Sequence, residues 1–183
     1  PKVRALVSHA EYSGQLQGEV ARFDGRLLVH HLADGWTRIG LPLGRVALEK
    51  IEINGQPATL AGDDPAQPAV YLEKAGQYVV DVRFGVPVSL LGATGQMTVP
   101  LRPVSSGRLL FRLPREGLEV QVSGSSGGWR RQSSGSGDKE AVAQHAGELV
   151  SIPLGAASDL SIRWQPRRVE SREGQSITAD QAL

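Results

Sequence analysis

Apolar residues recur at every second position along most of this chain. Tyr78, Val80, Val82 and Phe84 form the cleanest run, and Met97, Val99 and Leu101 repeat it. Leu109, Phe111 and Leu113 follow, then Leu118, Val120 and Val122. A period of two places every member of a run on one face of an extended chain, so each run predicts a half-buried β-strand. Two further strands, over 149–154 and through Leu160, Ile162 and Trp164, close the series.

The first part of the chain adds turns to this alternation. Val3, Ala5 and Val7 open a strand expected to end near Tyr12, with Ser13-Gly14 turning it. Residues 16–23 and 26–32 flank Asp24-Gly25, a dipeptide suited to a tight hairpin because both central residues tolerate positive φ. Ala33-Asp34-Gly35 supplies the next turn. The densest signal lies in residues 36–60, where Ile39, Leu41 and Leu43 alternate and Pro42 marks an edge or a strand end. Val46 and Leu48 share one parity and Ile51 and Ile53 the other, so a bulge near Glu49-Lys50 is expected. With the Asn54-Gly55 turn the stretch reads as a β-meander. Val70 and Leu72 make a further strand, and Ala75-Gly76 a turn.

Helix has little room in this pattern. Residues 139–145 (KEAVAQH) hold the one succession of helix formers, too short to stand alone. Residues 123–137 collapse to Ser, Gly and Arg around Trp129, the composition of a flexible loop. The expected fold is all-β: an antiparallel two-sheet β-sandwich, Ig-like or jelly-roll-like, with no substantial helix. A single domain is expected over residues 1–165, with 166–183 as a polar tail or linker.

Composition agrees with a turn-rich fold. The 183 residues include 22 Gly and 11 Pro, and 40% are hydrophobic. The 20 basic and 19 acidic residues leave a net charge of +1, which removes any bulk electrostatic case for nucleic acid or an anionic membrane. There is no cysteine, so thiol catalysis, iron–sulfur clusters and cysteine zinc sites are excluded. No segment has the roughly 18–20 apolar residues of a membrane-spanning helix. The start at Pro1, in mid-strand idiom, reads as a processed product or a piece of a larger protein.

Candidate chemistry is sparse. Gly124-Ser125-Ser126-Gly127-Gly128 matches G-x-S-x-G, but the nucleophile elbow needs a strand before it and a helix after it, and a Ser/Gly/Arg loop follows here. His30 and His31 are adjacent, so on a strand they point to opposite faces and cannot share a metal; His9 and His145 lie far apart in sequence. Asp63-Asp64 offers only part of a calcium shell. No metal site and no cofactor are expected. Among the tryptophans, Trp164 continues a buried parity. Trp129 stands in the polar loop beside Arg130 and Arg131, where an exposed ring can stack a sugar or anchor a partner chain. Trp36, at a strand entry, is a second stacking position or else the rim of the core.

Tyr12, Gly18, Gly35-Trp36, Leu41-Pro42-Leu43, Val46-Ala47-Leu48, Asn54-Gly55-Gln56-Pro57-Ala58 and Gly76 before the 78–84 strand together resemble a module of large, uncharacterised bacterial envelope proteins. The resemblance implies a β-sandwich module in a multi-domain protein, periplasmic or at the cell surface, and carries no activity and no site residue; a cytoplasmic setting stays open. Three functions follow from the sequence. The first is a non-catalytic module that packs against neighbouring domains or a partner protein. The second is a carbohydrate-binding module using Trp129 and Trp36. The third is an enzyme whose residues converge only in the fold.

Overall fold

The computed structural model describes residues 3–43, 46–61, 68–132 and 147–167. The alternating runs become β1 (Ala5–Gln17), β2 (Val20–His31), β3 (Thr37–Gly40), β4 (Ala47–Ile53), β5 (Gln56–Pro57), β6 (Ala69–Leu72) and β7 (Gly76–Pro87). The second half supplies β8 (Ser89–Leu91), β9 (Thr94–Pro100), β10 (Ser106–Arg112), β11 (Leu118–Ser123), β12 (Arg130–Gln132), β13 (Leu149–Pro153) and β14 (Asp159–Pro166). They form an eight-stranded sheet in the order β12-β13-β10-β1-β2-β7-β4-β5, a four-stranded sheet β11-β14-β9-β8, and a two-stranded ribbon β3-β6. The fold is all-β, and among the described residues there is no helix.

The two larger sheets bring their apolar faces together. Phe23, Phe84, Phe111, Val150 and Ile152 from the large sheet and Leu118, Leu160, Ile162 and Trp164 from the small one are buried in a single cluster. Ring contacts run through it from Tyr12 to Phe84, Phe23, Phe111 and finally Trp164, whose centroid is 5.7 Å from that of Phe111. Glycines make room for these rings. Gly25 stands opposite Tyr12, and a Cβ at Gly95 would lie 2.1 Å from the Trp164 ring.

Several local expectations hold and others change. The bulge falls between Leu48 and Lys50, and Asn54 (φ 52°) with Gly55 (φ 77°) makes the tight turn from β4 to β5. Asp24-Gly25, in contrast, lies in the middle of β2, because Gly25 is needed as the small residue under Tyr12. The chain reverses instead at Gly18-Glu19, where Gly18 has φ 65°, so β1 passes straight through Ser13-Gly14. Residues 36–60 are not a meander: β3 pairs with β6 in the ribbon, while β4 pairs with β7 in the large sheet. Leu41 and Leu43 stay buried through the crossing, which is why the alternation continues without a strand. The sheets are mostly antiparallel, but β1 and β10 pair in parallel. The 123–137 loop contributes the short edge strand β12, paired with β13.

Two polar devices fasten the ribbon over this framework. His31 is buried; its Nδ1 donates to the Lys74 carbonyl at 2.7 Å, and its Nε2 lies 2.8 Å from the Thr37 hydroxyl. Arg102, after β9, donates to the Gly40 carbonyl at the end of β3, and its burial lowers the guanidinium pKa from the ordinary value.

Candidate functional site

The outward positions of the large sheet carry charge in rows. β2 presents Arg22, Asp24 and Arg26 to solvent because Phe23, Gly25 and Leu27 take the inner parity. Glu11 of β1 and Asp81 of β7 stand directly across from Arg26, and Arg108 of β10 stands opposite Glu11. The row Arg108–Glu11–Arg26–Asp81 therefore alternates in sign across neighbouring strands. Arg26 Nε donates to Asp81 Oδ1 at 2.7 Å, and Arg108 Nη2 is 3.0 Å from Glu11 Oε1. Two residues along the strands, Arg83 Nε donates to Asp24 Oδ1 at 2.7 Å. Lys50 and Glu52 pair at 2.7 Å on β4, and Arg22 reaches Glu49 at 3.3 Å. Opposite charges placed directly across strands support the pairing register.

The surface dips between these rows. A depression of about 370 Å³ is bordered by Glu11, Asp24, Arg26, Lys50, Asp81 and Arg83. A second, of about 390 Å³, shares Ser13, Asp24 and Arg83 with it and extends to Arg112. Hydrogen bonding to Asp81 raises the pKa of Arg26 above its ordinary value, and Asp24 does the same for Arg83. The basic side chains are exposed and Asp81, Glu49 and Glu52 only half-buried, so the lattice adds little to stability. What it offers is a patterned, charged surface.

At its margin, His9 Nδ1 lies 2.9 Å from Ser106 Oγ and His9 Nε2 lies 3.6 Å from Glu11 Oε1. This is the residue series of a nucleophile, a base and an acid. Acyl transfer also needs donors for the developing oxyanion in a site shut off from water. Here His9 and Glu11 lie on open sheet surface and Glu11 is shared with Arg108, so the line serves the polar face.

The residues singled out from the sequence are scattered. Trp129 is half-buried and packs against the core, with the Arg131 guanidinium 5.7 Å from its ring centroid. Arg131 pairs with Glu148 and donates to the Leu118 carbonyl, and exposed Arg130 lies opposite Ser151. Trp36 is the exposed one, at 64%, with its ring edge-on to Tyr71. The exposed ring is thus that of Trp36, one of the two settings expected of it, while Trp129, expected in the open, lies against the core. In the G-x-S-x-G match, Ser125 donates to the Gly127 carbonyl and Ser126 to the Leu154 carbonyl, at 2.7 and 2.9 Å. His30 contacts Ser8 at 2.8 Å on the opposite face from His31. Asp63, Asp64, His145 and the 139–145 stretch lie outside the described residues. Among the described residues no three side chains are grouped to hold a metal ion, and no helix is long and apolar enough to cross a membrane.

No protein-family model matches the chain, and no curated protein matches it in sequence. Solved structures do. The fold is similar to an M1 zinc metallopeptidase from Deinococcus radiodurans, with a TM-score of 0.54 and 14% identity over 87% of this chain and 42% of that one. Aminopeptidase A of Legionella pneumophila, solved with aspartic acid, gives 0.54 and 8% over 89% and 22%. A candidate nutrient-binding protein of Legionella pneumophila gives 0.59 and 7% over 88% and 67%. The likeness is one of fold. This chain spans about two fifths of the Deinococcus peptidase, and its sequence contains no His-Glu-x-x-His, the helix-borne zinc motif of metallopeptidases.

The charge lattice escaped sequence reading because its partners meet only once the register is known. Its trace was present as charges at every second position, in Arg22, Asp24 and Arg26 and again in Asp81 and Arg83. Tyr71 was missed for a similar reason, since it meets Trp36 through the pairing of β3 with β6.

Proposed function

We propose that this chain is a non-catalytic β-sandwich module of a larger bacterial envelope or surface protein, and that its charged sheet face receives a neighbouring domain or partner protein. Residues 1–165 form the module on this reading, and 166–183 link it onward. The observation that carries the proposal is the sign-alternating row Arg108–Glu11–Arg26–Asp81, set around a depression in an otherwise solvated sheet. Such a row favours a partner of matching charge order and disfavours one in the wrong register. The similar folds support the same reading, because each of the peptidase chains extends well beyond the part this fold matches.

The test is chemical footprinting of the gene's full product beside the isolated chain. Modification of Arg26 and Arg108 by phenylglyoxal should be slower in the full product, and the Arg26→Glu variant should restore exposure of Arg108. Equal modification rates, or a gene whose mature product is residues 1–183 alone with no partner of matching charge, would overturn the proposal.

A further inference from the structure

The β3–β6 ribbon turns two aromatic rings outward. Ile39, Val70 and Leu72 take its inner face and are buried, so Trp36, Arg38, Tyr71 and Glu73 are left on the outer one. Trp36 is 64% and Tyr71 43% exposed, and their rings meet edge-to-face with centroids 6.4 Å apart at 76°. Arg38 stands directly across from Tyr71. We propose that this outer face is a glycan platform, taking a pyranose chain across Trp36 and Tyr71.

Three features argue for a sugar. The first is chemical. The C–H face of a pyranose is apolar and stacks on an aromatic ring, while its hydroxyls need donors and acceptors at the rim. Trp36 and Tyr71 supply the rings, and the indole N–H, the phenol and the carboxylate of exposed Glu73 supply the rim.

The second is size. Each strand of the ribbon is four residues long. At ~3.3 Å per residue and ~4.8 Å between strands, its outer face measures at most roughly 13 by 10 Å, and Ala69, on the same side as Tyr71, is buried, which shortens the open part. A stable protein interface needs about 800 Å² per partner; this face suits one or two sugar rings.

The third is order. Gly35 N donates to the Glu73 carbonyl at 2.7 Å, Ala75 N to Asp34 Oδ1 at 2.8 Å, and Thr37 is held by His31 from below. The rings are therefore positioned before any ligand arrives, which reduces the entropy lost on binding.

The inference is independent of the charged face, which lies on the large sheet. Its probes are soluble cello- and chito-oligosaccharides, titrated by isothermal calorimetry and by tryptophan fluorescence. The intact protein should bind at least one series, and Trp36→Ala and Tyr71→Ala should each weaken that binding at least about tenfold. Both positions are exposed, so melting temperatures should stay unchanged. Leu91→Ser, which removes an exposed leucine from the β8 edge, should bind as the intact protein does. Failure of both series to bind would overturn the proposal, and so would undiminished binding by Trp36→Ala. Sedimentation that shows a dimer abolished by Trp36→Ala would assign the face to a second copy of the chain and overturn it too.

Discussion

Gly14 of β1 stands directly opposite Phe23 of β2, and a Cβ at Gly14 would lie 2.2 Å from the phenyl ring. The reverse pair sits two positions along, with Gly25 opposite Tyr12 and 2.6 Å from ring to added Cβ. Each aromatic ring therefore covers the glycine of the other strand. Phe23 is fully buried and stacked on both Phe84 and Phe111, so it has no free space to retreat into. Gly14→Ala should destabilise the fold by about 1–3 kcal/mol through overpacking. Gly128→Ala, where an added Cβ meets nothing within 4 Å, should stay within about 0.5 kcal/mol. Urea unfolding of the two variants beside the parent chain makes the comparison.

Tyr12 gives the fold an alkaline limit. Burial pushes its phenol up to about 12, against the smaller opposing pull of the Arg102 backbone N–H and charge. In the unfolded chain the group titrates near 10. Below about pH 10 both states hold the proton, and this stabilisation is fully present. Between about pH 10 and 12 only the unfolded chain releases it, so stability falls by up to ~1.4 kcal/mol per pH unit. Above about 12 the contribution is gone. Tyr12→Phe should flatten the stability–pH curve in that window; identical slopes for the two proteins would refute the assignment.

Among the described residues, Thr37 is the side chain that pairs with His31 Nε2, at 2.8 Å. Thr37→Val keeps the shape and removes the hydroxyl. It should destabilise the fold by about 1–3 kcal/mol, because a buried polar atom loses its partner. Since Thr37 also fastens the ribbon, amide exchange should accelerate along β3 more than along β2.

Arg131 ties the loop before β12 to the framework through Glu148, the Leu118 carbonyl and the Trp129 ring. Arg131→Ala should therefore lower stability by about 1–3 kcal/mol and expose Trp129, shifting its fluorescence to the red. An unchanged emission spectrum would show that the ring is held by the core alone.

Much of the sandwich was legible in the sequence because burial and alternation obey the same period of two. Tyr78 to Phe84, Met97 to Leu101 and Leu160 to Trp164 needed no partner to declare their inner face. The Leu48–Lys50 bulge was legible too, since a change of parity inside one strand has few other causes. Pairing was not. Asp24-Gly25 has the composition of a turn, and only its neighbour Tyr12 explains why a glycine is needed in mid-strand. Leu41 and Leu43 kept the alternation through a crossing between sheets, so a change of layer looked like one continuous meander. The surface was least legible. Whether Trp36 or Trp129 faces water depends on what packs over each, and neither neighbourhood is local in sequence.

The parallel pairing of β1 with β10 sets a schedule for synthesis on the ribosome. β1 opens at Ala5 and β10 at Ser106, so roughly a hundred residues emerge between them. At ~5–20 residues per second this takes on the order of 5–20 s. During that interval β1 can form its hairpin with β2, but its other edge has no strand to meet. A nascent chain arrested before Ser106 should therefore be sticky and protease-sensitive along β1, and should become resistant only once β10 has cleared the exit tunnel.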